Sequence, residues 1–124
     1  MLALRLDQVS LGYGRQTILR NINLEAIPGE LVGIIGPNGS GKSTLLRSII
    51  RMLKPQTGNI YIDGHTINQL KHNDLARLVA IVPQNPVLPD LFTALELVLM
   101  GRTPHLGLLR YESNKDLALV QKAM

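Results

Sequence analysis

A glycine-rich stretch, IIGPNGSGKSTLL at residues 34–46, constrains the fold of this chain more than any other feature. Within it, Gly36, Gly41, Lys42 and Ser43 satisfy the pattern G-x-x-x-x-G-K-[ST] at every fixed position. The glycines of such a loop let backbone N–H groups turn inward around phosphates, and the lysine adds a mobile cation. An apolar run leads into the loop and a segment with helical spacing leads out, so we expect a strand, the loop and a helix in that order.

The phosphate-binding residues that this pattern predicts are contiguous: Gly36, Pro37, Asn38, Gly39, Ser40, Gly41, Lys42, Ser43 and Thr44. The N-terminus of the following helix carries a partial positive charge that favours an anion. Ser43 offers a hydroxyl to Mg²⁺, which prefers oxygen ligands, and Thr44 can donate to an inner phosphate. A glycine-rich turn with a chance lysine is the alternative, but it would not explain the strand and helix on either side. The loop therefore predicts nucleotide binding without identifying the base or the reaction.

The remaining chain is predicted to alternate between strands and helices. Strands are expected, from apolar residues between turn signals, at 2–14, 17–30 (ended by Pro28–Gly29), 30–36, 58–64 and 79–84. Helices are expected, from apolar spacing and cap residues, at 42–53, 73–78, 91–101 and 113–124, the last starting with Ser113 and Asp116 at capping-box spacing. The runs at 30–36 and 79–84 are continuously apolar, which is typical of strands buried on both faces.

Composition narrows the functional classes. The 124 residues suffice for one compact domain, and 45% of them are hydrophobic, which is enough for a core. The absence of cysteine excludes disulfides and thiolate metal sites. The net charge of +4 comes from scattered residues, and three tyrosines and one phenylalanine cannot form a base-stacking surface for nucleic acid. We therefore expect no nucleic-acid partner, and we interpret the charge as scatter plus a local anion site.

Spacing argues against three other features. A guanine-specific site of the type N-K-x-D has no match, because in the stretch 114–116 the aspartate comes one position too early. His65, His72 and His105 lack metal-ligand spacing and are expected on the surface. The N-terminal residues include charges and no long apolar run, so no signal peptide is expected, and no run approaches the ~20 apolar residues of a membrane span.

Four stretches, in this order and spacing, resemble the ATP-binding subunits of ABC transporters: LGYG, GPNGSGKSTLLRSI, PQTGNIYIDG and VAIVPQNP. The resemblance covers essentially all of this chain and about half of the family's ATPase unit. It implies an α/β fold, a P-loop NTPase of the ABC ATPase type with an N-terminal antiparallel β subdomain, here truncated. Residues 1–124 would be a partial ABC ATPase domain with the β subdomain, the phosphate loop, the Q-loop and the start of the helical subdomain.

The resemblance also implies roles for individual residues. Tyr13 resembles the aromatic residue that stacks on adenine, and Gln84 resembles the Q-loop glutamine that meets Mg²⁺ and the attacking water. Gln84 is thus the implied catalytic residue, Ser43 and Gln84 are the implied Mg²⁺ ligands, and ATP and Mg²⁺ are the implied cofactors. Without the resemblance, a turn tyrosine and a loop glutamine would be ordinary surface residues. The segment Asn85–His105 corresponds to the region that docks the integral-membrane permease subunits.

A narrower similarity involves Gly101, Arg102, Pro104 and His105, which match the GR-x-PH stretch common in ATPases of bacterial iron-siderophore, haem and cobalamin importers. Position 103, often aromatic in those proteins, is Thr103 here. The similarity implies an ATP-binding component that energises import through membrane subunits. It also implies a head-to-tail dimer with a second ATPase subunit, peripheral to the cytoplasmic face of the bacterial inner membrane.

Three parts of the family's ATPase have no match in these residues: the LSGGQ-type signature, the Walker B strand with its Asp and catalytic Glu, and the switch histidine. The nearest Walker B candidate, LALRLDQ, contains Arg5, lacks the Glu and precedes the phosphate loop. We therefore expect ATP binding without turnover, which leaves the assignment as an ATP hydrolase open. A natural short binding form and an inactive gene fragment are alternatives. A different phosphate-loop kinase would leave Tyr13, Gln84 and residues 101–105 unexplained.

The resemblance to the ABC transporter ATPases also predicts how the apolar runs at 30–36 and 79–84 are placed in the structure. In the family's topology, strands from the second half of the domain lie beside the phosphate-loop strand. Without them, we expect a gap in the sheet or an exposed apolar edge, and we expect such an edge to favour aggregation.

Overall fold

The N-terminal residues form a long hairpin. β1 (Leu4–Tyr13) pairs antiparallel with β2 (Gln16–Ala26), and Gly14 lies in the turn between them. The structure, a computed structural model, describes residues 3–86, 91–106 and 112–124. Both strands confirm the prediction made from alternating apolar residues, and β2 ends shortly before Pro28–Gly29 as expected.

Two further strands complete an antiparallel sheet. β3 (Thr57–Ile62) pairs with β1, and β4 (His65–Thr66) pairs with β3, which gives the strand order β2-β1-β3-β4. The inward-facing apolar side chains of the central strands are buried: Leu6, Val9, Leu11, Ile60 and Ile62. Burial of each such side chain stabilises the fold by about 1.5–3 kcal/mol. This sheet is the N-terminal antiparallel β subdomain that the sequence implied.

Two helices belong to the same compact unit, Met1–Leu78. α1 (Lys42–Ile49) follows the phosphate loop and buries Leu45, and α2 (His72–Leu78) buries Leu75. α1 was predicted to extend to residue 53, but it ends earlier because Arg51 adopts a positive φ of 61°, which an α-helix cannot continue through.

The two continuously apolar runs, 30–36 and 79–84, do not form strands, so this part of the prediction is wrong. Leu31 and Ile35 are each 97% exposed, and Val82 is 93% exposed. A strand needs hydrogen-bonded neighbours, and the sheet in the described residues contains only β1–β4, which pair with one another. The prediction of a gap or an exposed apolar edge assumed that 30–36 is a strand of the sheet; in the described residues it is not, and its apolar side chains are exposed on an unpaired segment instead.

The second compact unit, Val79–Met124, contains two further helices. α3 (Ala94–Met100) ends at Gly101 as predicted, a short 3₁₀ turn covers Thr103–His105, and α4 (Asn114–Ala123) follows. The predicted capping box of α4 is confirmed, because the Ser113 hydroxyl accepts from the Asp116 N–H and the Asp116 carboxylate accepts from the Ser113 N–H. None of the helices in the described ranges is long and apolar enough to cross a membrane.

One ion pair connects the 3₁₀ turn to α4 within this unit. Arg102 Nε lies 2.9 Å from Asp116 Oδ1, and the side chain of Asp116 is nearly buried. Hydrogen bonds from Ser113 and then from Arg102 lower the pKa of the Asp116 carboxyl to about 2. Asp116 therefore both caps α4 and holds the Gly101–His105 stretch against it.

Candidate functional site

The loop between residues 36 and 41 has the backbone conformation that its glycines permit. Gly39 and Gly41 have positive φ values of 80° and 96°. A Cβ atom at Gly41 would lie 2.8 Å from a methyl carbon of Leu19, and one at Gly36 would lie 2.9 Å from Ser40 Oγ. Residues with a side chain would therefore strain or block the loop at these places. Because the glycines have no side chain and the loop is exposed, its backbone is open to contact with a ligand.

Lys42 extends its side chain back over this loop. Its Nζ donates to the carbonyl oxygens of Gly36, at 2.8 Å, and of Pro37, at 2.6 Å. Among the residues that the structure describes, no carboxylate forms an ion pair with it. The loop thus holds a cation in place without neutralising its charge, which suits an anionic ligand.

The start of α1 adds a second source of positive potential. Its N-cap residue is Gly41, which provides no side-chain cap, and its first turn contains no acidic residue. The first N–H groups of a helix have no partner within the helix, so a bound anion can accept from them. In the first turn, the Ser43 side chain is exposed, whereas Thr44 is buried.

An apolar groove adjoins the loop. Its volume is ≈ 320 Å³. Apolar side chains line it together with part of the loop: Leu19, Ile22, Ile34, Ile35, Leu45, Gly36, Pro37, Ser40, Gly41 and Lys42. The groove lies within the first unit, so the hairpin and α1 shape it. It gives the loop an apolar wall on one side, while residues 36–40 of the loop stay exposed.

Tyr13 lies at the tip of the β1–β2 hairpin, and the structure brings it to α1. Its side chain is 46% exposed, and Arg47 Nη1 on α1 donates to its hydroxyl at 3.1 Å. This hydrogen bond lowers the pKa of the Tyr13 phenol below its ordinary value, and the Thr44 side chain acts in the same direction. The predicted aromatic residue therefore contacts α1, the same helix that begins at the end of the predicted phosphate loop.

Gln84 and the docking segment Asn85–His105 belong to the second unit. Gln84 and Asn85 are exposed, and the described part of the segment exposes apolar side chains, among them Leu91 at 95% and Met100 at 54%. Residues 87–90 of the segment lie outside the described residues. The roles given to Gln84 and to this segment stay predictions. His65, His72 and His105 are exposed as expected.

Sequence reasoning missed two residues near Tyr13. Arg47 is a helix residue that belongs to no motif. Only its position three residues after Thr44 indicates that the two residues are neighbours on the surface of α1. Gln56 makes two side-chain hydrogen bonds to the hairpin tip, to Thr17 and Gly14, and no sequence pattern predicts those. Both contacts depend on the fold bringing distant segments together.

Comparison with known proteins identifies relatives of this chain. The sequence profile of the family described as "ABC transporter" matches residues 19–124. The petrobactin import ATP-binding protein FpuD of Bacillus anthracis is 44% identical over 122 residues, which cover 98% of this chain and 45% of that protein. The ferric enterobactin transport ATP-binding protein FepC of Escherichia coli K12 is 40% identical over 121 residues, with the same two coverages, 98% and 45%. This chain therefore spans somewhat less than half the length of these relatives.

A solved structure gives the same result for the fold. A bacterial Atm1-family ABC exporter with ATP bound matches with a TM-score of 0.75 at 37% identity, over 81% of this chain and 18% of that chain. This similarity confirms the fold class expected from the sequence.

Proposed function

Since this chain belongs to the ABC transporter family, whose membership implies nucleotide binding, we propose that it holds Mg-ATP as part of the ATP-binding subunit of an importer. The phosphates bind to the loop and the start of α1, residues 36–44. The observation that supports this most strongly is the Lys42 ammonium, held over the exposed loop by two carbonyl oxygens and by no carboxylate of the described residues. A charge placed in this way is available to the terminal phosphates.

The residues of the loop also suit Mg²⁺. Ser43 is exposed at the start of α1, and its hydroxyl is the kind of hard oxygen ligand that Mg²⁺ takes beside a nucleotide phosphate. Gln84 would supply a second oxygen ligand and orient the attacking water in an intact ATPase. The ion itself would neutralise charge on the phosphates.

Tyr13 would hold the adenine ring. Its side chain is half exposed at a turn, and it contacts the helix whose N-terminus holds the phosphates. An exposed ring in that position can lie against the flat face of a base. The nucleotide would then be held at its two ends by the hairpin tip and by the phosphate loop.

The cargo that we propose is an iron-siderophore complex, with haem or cobalamin as alternatives. Relatives of this chain are named for petrobactin import and for ferric enterobactin transport. Permease subunits would dock on Asn85–His105, whose described part exposes apolar residues. A second ATPase subunit would pair head to tail, and the assembly would lie on the cytoplasmic face of the inner membrane.

A polypeptide of these 124 residues would bind ATP with negligible turnover. It has no match to the Walker B Glu, to the signature that faces ATP across the dimer, or to the switch histidine.

Calorimetric titration of Mg-ATP tests the site. Lys42→Ala should weaken binding at least about tenfold, because hydrogen bonds to charged groups contribute about 1.5–3 kcal/mol. Lys71→Ala, an exposed lysine outside the loop, is the matched control and should bind like the parent. Equal affinity for the parent and Lys42→Ala would refute the proposed site. Phosphate release by the pure chain at an ordinary ATPase rate, abolished by Lys42→Ala, would refute binding without turnover.

A further inference from the structure

The hydroxyl of Tyr13 is held from α1. Arg47 Nη1 donates to it at 3.1 Å, across 34 positions of sequence. Arg47 lies on the exposed side of α1, and it forms no ion pair with a carboxylate of the described residues. The phenol oxygen is therefore a specific partner of this guanidinium, and the contact restrains rotation of the ring about the hairpin tip.

The backbone beneath the same ring is held from a third segment. Gln56, which directly precedes β3, accepts from Thr17 Oγ1 at 2.9 Å and donates from Nε2 to the Gly14 carbonyl at 3.2 Å. Its own N–H donates to the Ser10 carbonyl at 2.8 Å. One glutamine thus ties both sides of the turn that carries Tyr13 to the start of β3.

We propose that Arg47 and Gln56 are positioning residues for base recognition: Arg47 sets the direction of the Tyr13 ring, and Gln56 sets the position of the turn beneath it. The inference rests on the proposed contact between Tyr13 and adenine. Because Arg47 belongs to the helix whose N-terminus holds the phosphates, α1 fixes the separation of the two ends of the nucleotide site. A ring that is already oriented loses less freedom on binding, so the base binds more tightly.

The test compares Mg-ATP with inorganic tripolyphosphate, which has the phosphates but no base. Arg47→Leu should weaken ATP binding about fivefold, which is less than the loss expected for a buried hydrogen bond to a charged group, because the contact is exposed. The ratio of ATP affinity to tripolyphosphate affinity should fall by the same factor. Gln56→Leu should lower this ratio as well. Arg20→Leu, which removes an exposed charge on β2, controls for long-range attraction and should leave the ratio unchanged.

A double-variant comparison separates positioning from general stability. Tyr13→Phe removes the hydroxyl but keeps the ring, so it should lower the ratio about as much as Arg47→Leu. The two changes together should cost no more than Tyr13→Phe alone, because Tyr13→Phe has already removed the hydrogen bond with Arg47. Arg47→Lys retains a donor and should restore part of the loss. Effects that multiply, or an Arg47→Leu effect that is equal for ATP and tripolyphosphate, would overturn the inference.

Two further readouts keep the outcomes distinct. If Tyr13→Ala binds ATP like the parent, the adenine contact itself is wrong; if Tyr13→Ala weakens ATP binding while the Arg47 and Gln56 variants keep the parental ratio, only the positioning role is wrong. Without any nucleotide, the Tyr13 phenol can be titrated by its ultraviolet absorbance, assigned by difference from Tyr13→Phe. Arg47→Leu should raise the pKa of the Tyr13 phenol, and an unchanged value would show that the contact is not formed in solution.

Discussion

Two apolar segments of this chain differ in burial. In β1, Val9 and Leu11 are completely buried, whereas in the run before the phosphate loop Leu31 and Ile35 are 97% exposed. The exposed run is the more continuously apolar of the two. Hydrophobic content alone therefore does not decide which segment enters the core.

The difference lies in where each segment finds its neighbours. β1 alternates apolar and polar residues and pairs with β2, the next strand along the chain, across a short turn. Its other edge pairs with β3, and the sheet needs only one covered face. The run at 30–36 is of the type that needs partners on both edges and cover on both faces, and no described strand provides them.

The largest expected effect is a difference in the free energy of unfolding between substitutions of one buried and one exposed leucine. Leu11→Ala should lower the free energy of unfolding by about 2–5 kcal/mol, because it leaves a cavity in the sheet's core. The same change at Leu31 should alter stability by less than about 0.5 kcal/mol, since the side chain has little to lose. Denaturant unfolding followed by circular dichroism measures both. Similar losses at the two sites would mean that residues 30–36 are buried in solution.

Self-association gives the next contrast. We expect the chain to elute as an aggregate in size-exclusion chromatography, because exposed apolar runs adhere to one another. Leu31→Lys with Val82→Lys should shift material towards the monomer. Gln69→Lys with Gln121→Lys adds the same charge at exposed polar positions and should have a smaller effect. A monodisperse parent chain that melts cooperatively would contradict this account.

A smaller effect concerns the second unit, whose α4 depends on a carboxylate. The pKa of Asp116 is lowered from its ordinary value of 3.8 to about 2. The ionised carboxylate therefore stabilises α4 fully when the pH is above about 3.8, and this stabilisation is lost as the pH falls towards 2. Helicity measured by circular dichroism should show a step in this window. Arg102→Leu should move the step to higher pH, and Asp116→Asn should remove it. A step that persists unchanged in Asp116→Asn would assign it to another group.

Much of this structure could be predicted from local pattern. The β1–β2 hairpin, the loop at 36–41, the start of α1 and the Ser113 capping box all follow from residues that are close in sequence. The fate of the run at 30–36 could not be predicted from its own residues, since burial depends on partners elsewhere. The contacts of Arg47 and Gln56 with the hairpin tip were also out of reach, because they join segments more than 30 positions apart.

The central claim is that the phosphate loop and the hairpin tip form one nucleotide site, although the apolar run that leads into the loop is unpaired. Hydrogen exchange measured by mass spectrometry, with and without Mg-ATP, tests this claim most directly. Without nucleotide, amides of β1 and β3 should exchange slowly and those of 30–35 rapidly, because only the former are in a ladder. Mg-ATP should slow exchange at residues 36–46 and around Tyr13, and Lys42→Ala should abolish this change. No nucleotide-dependent protection at the loop, or protection in the parent and Lys42→Ala alike, would contradict the account.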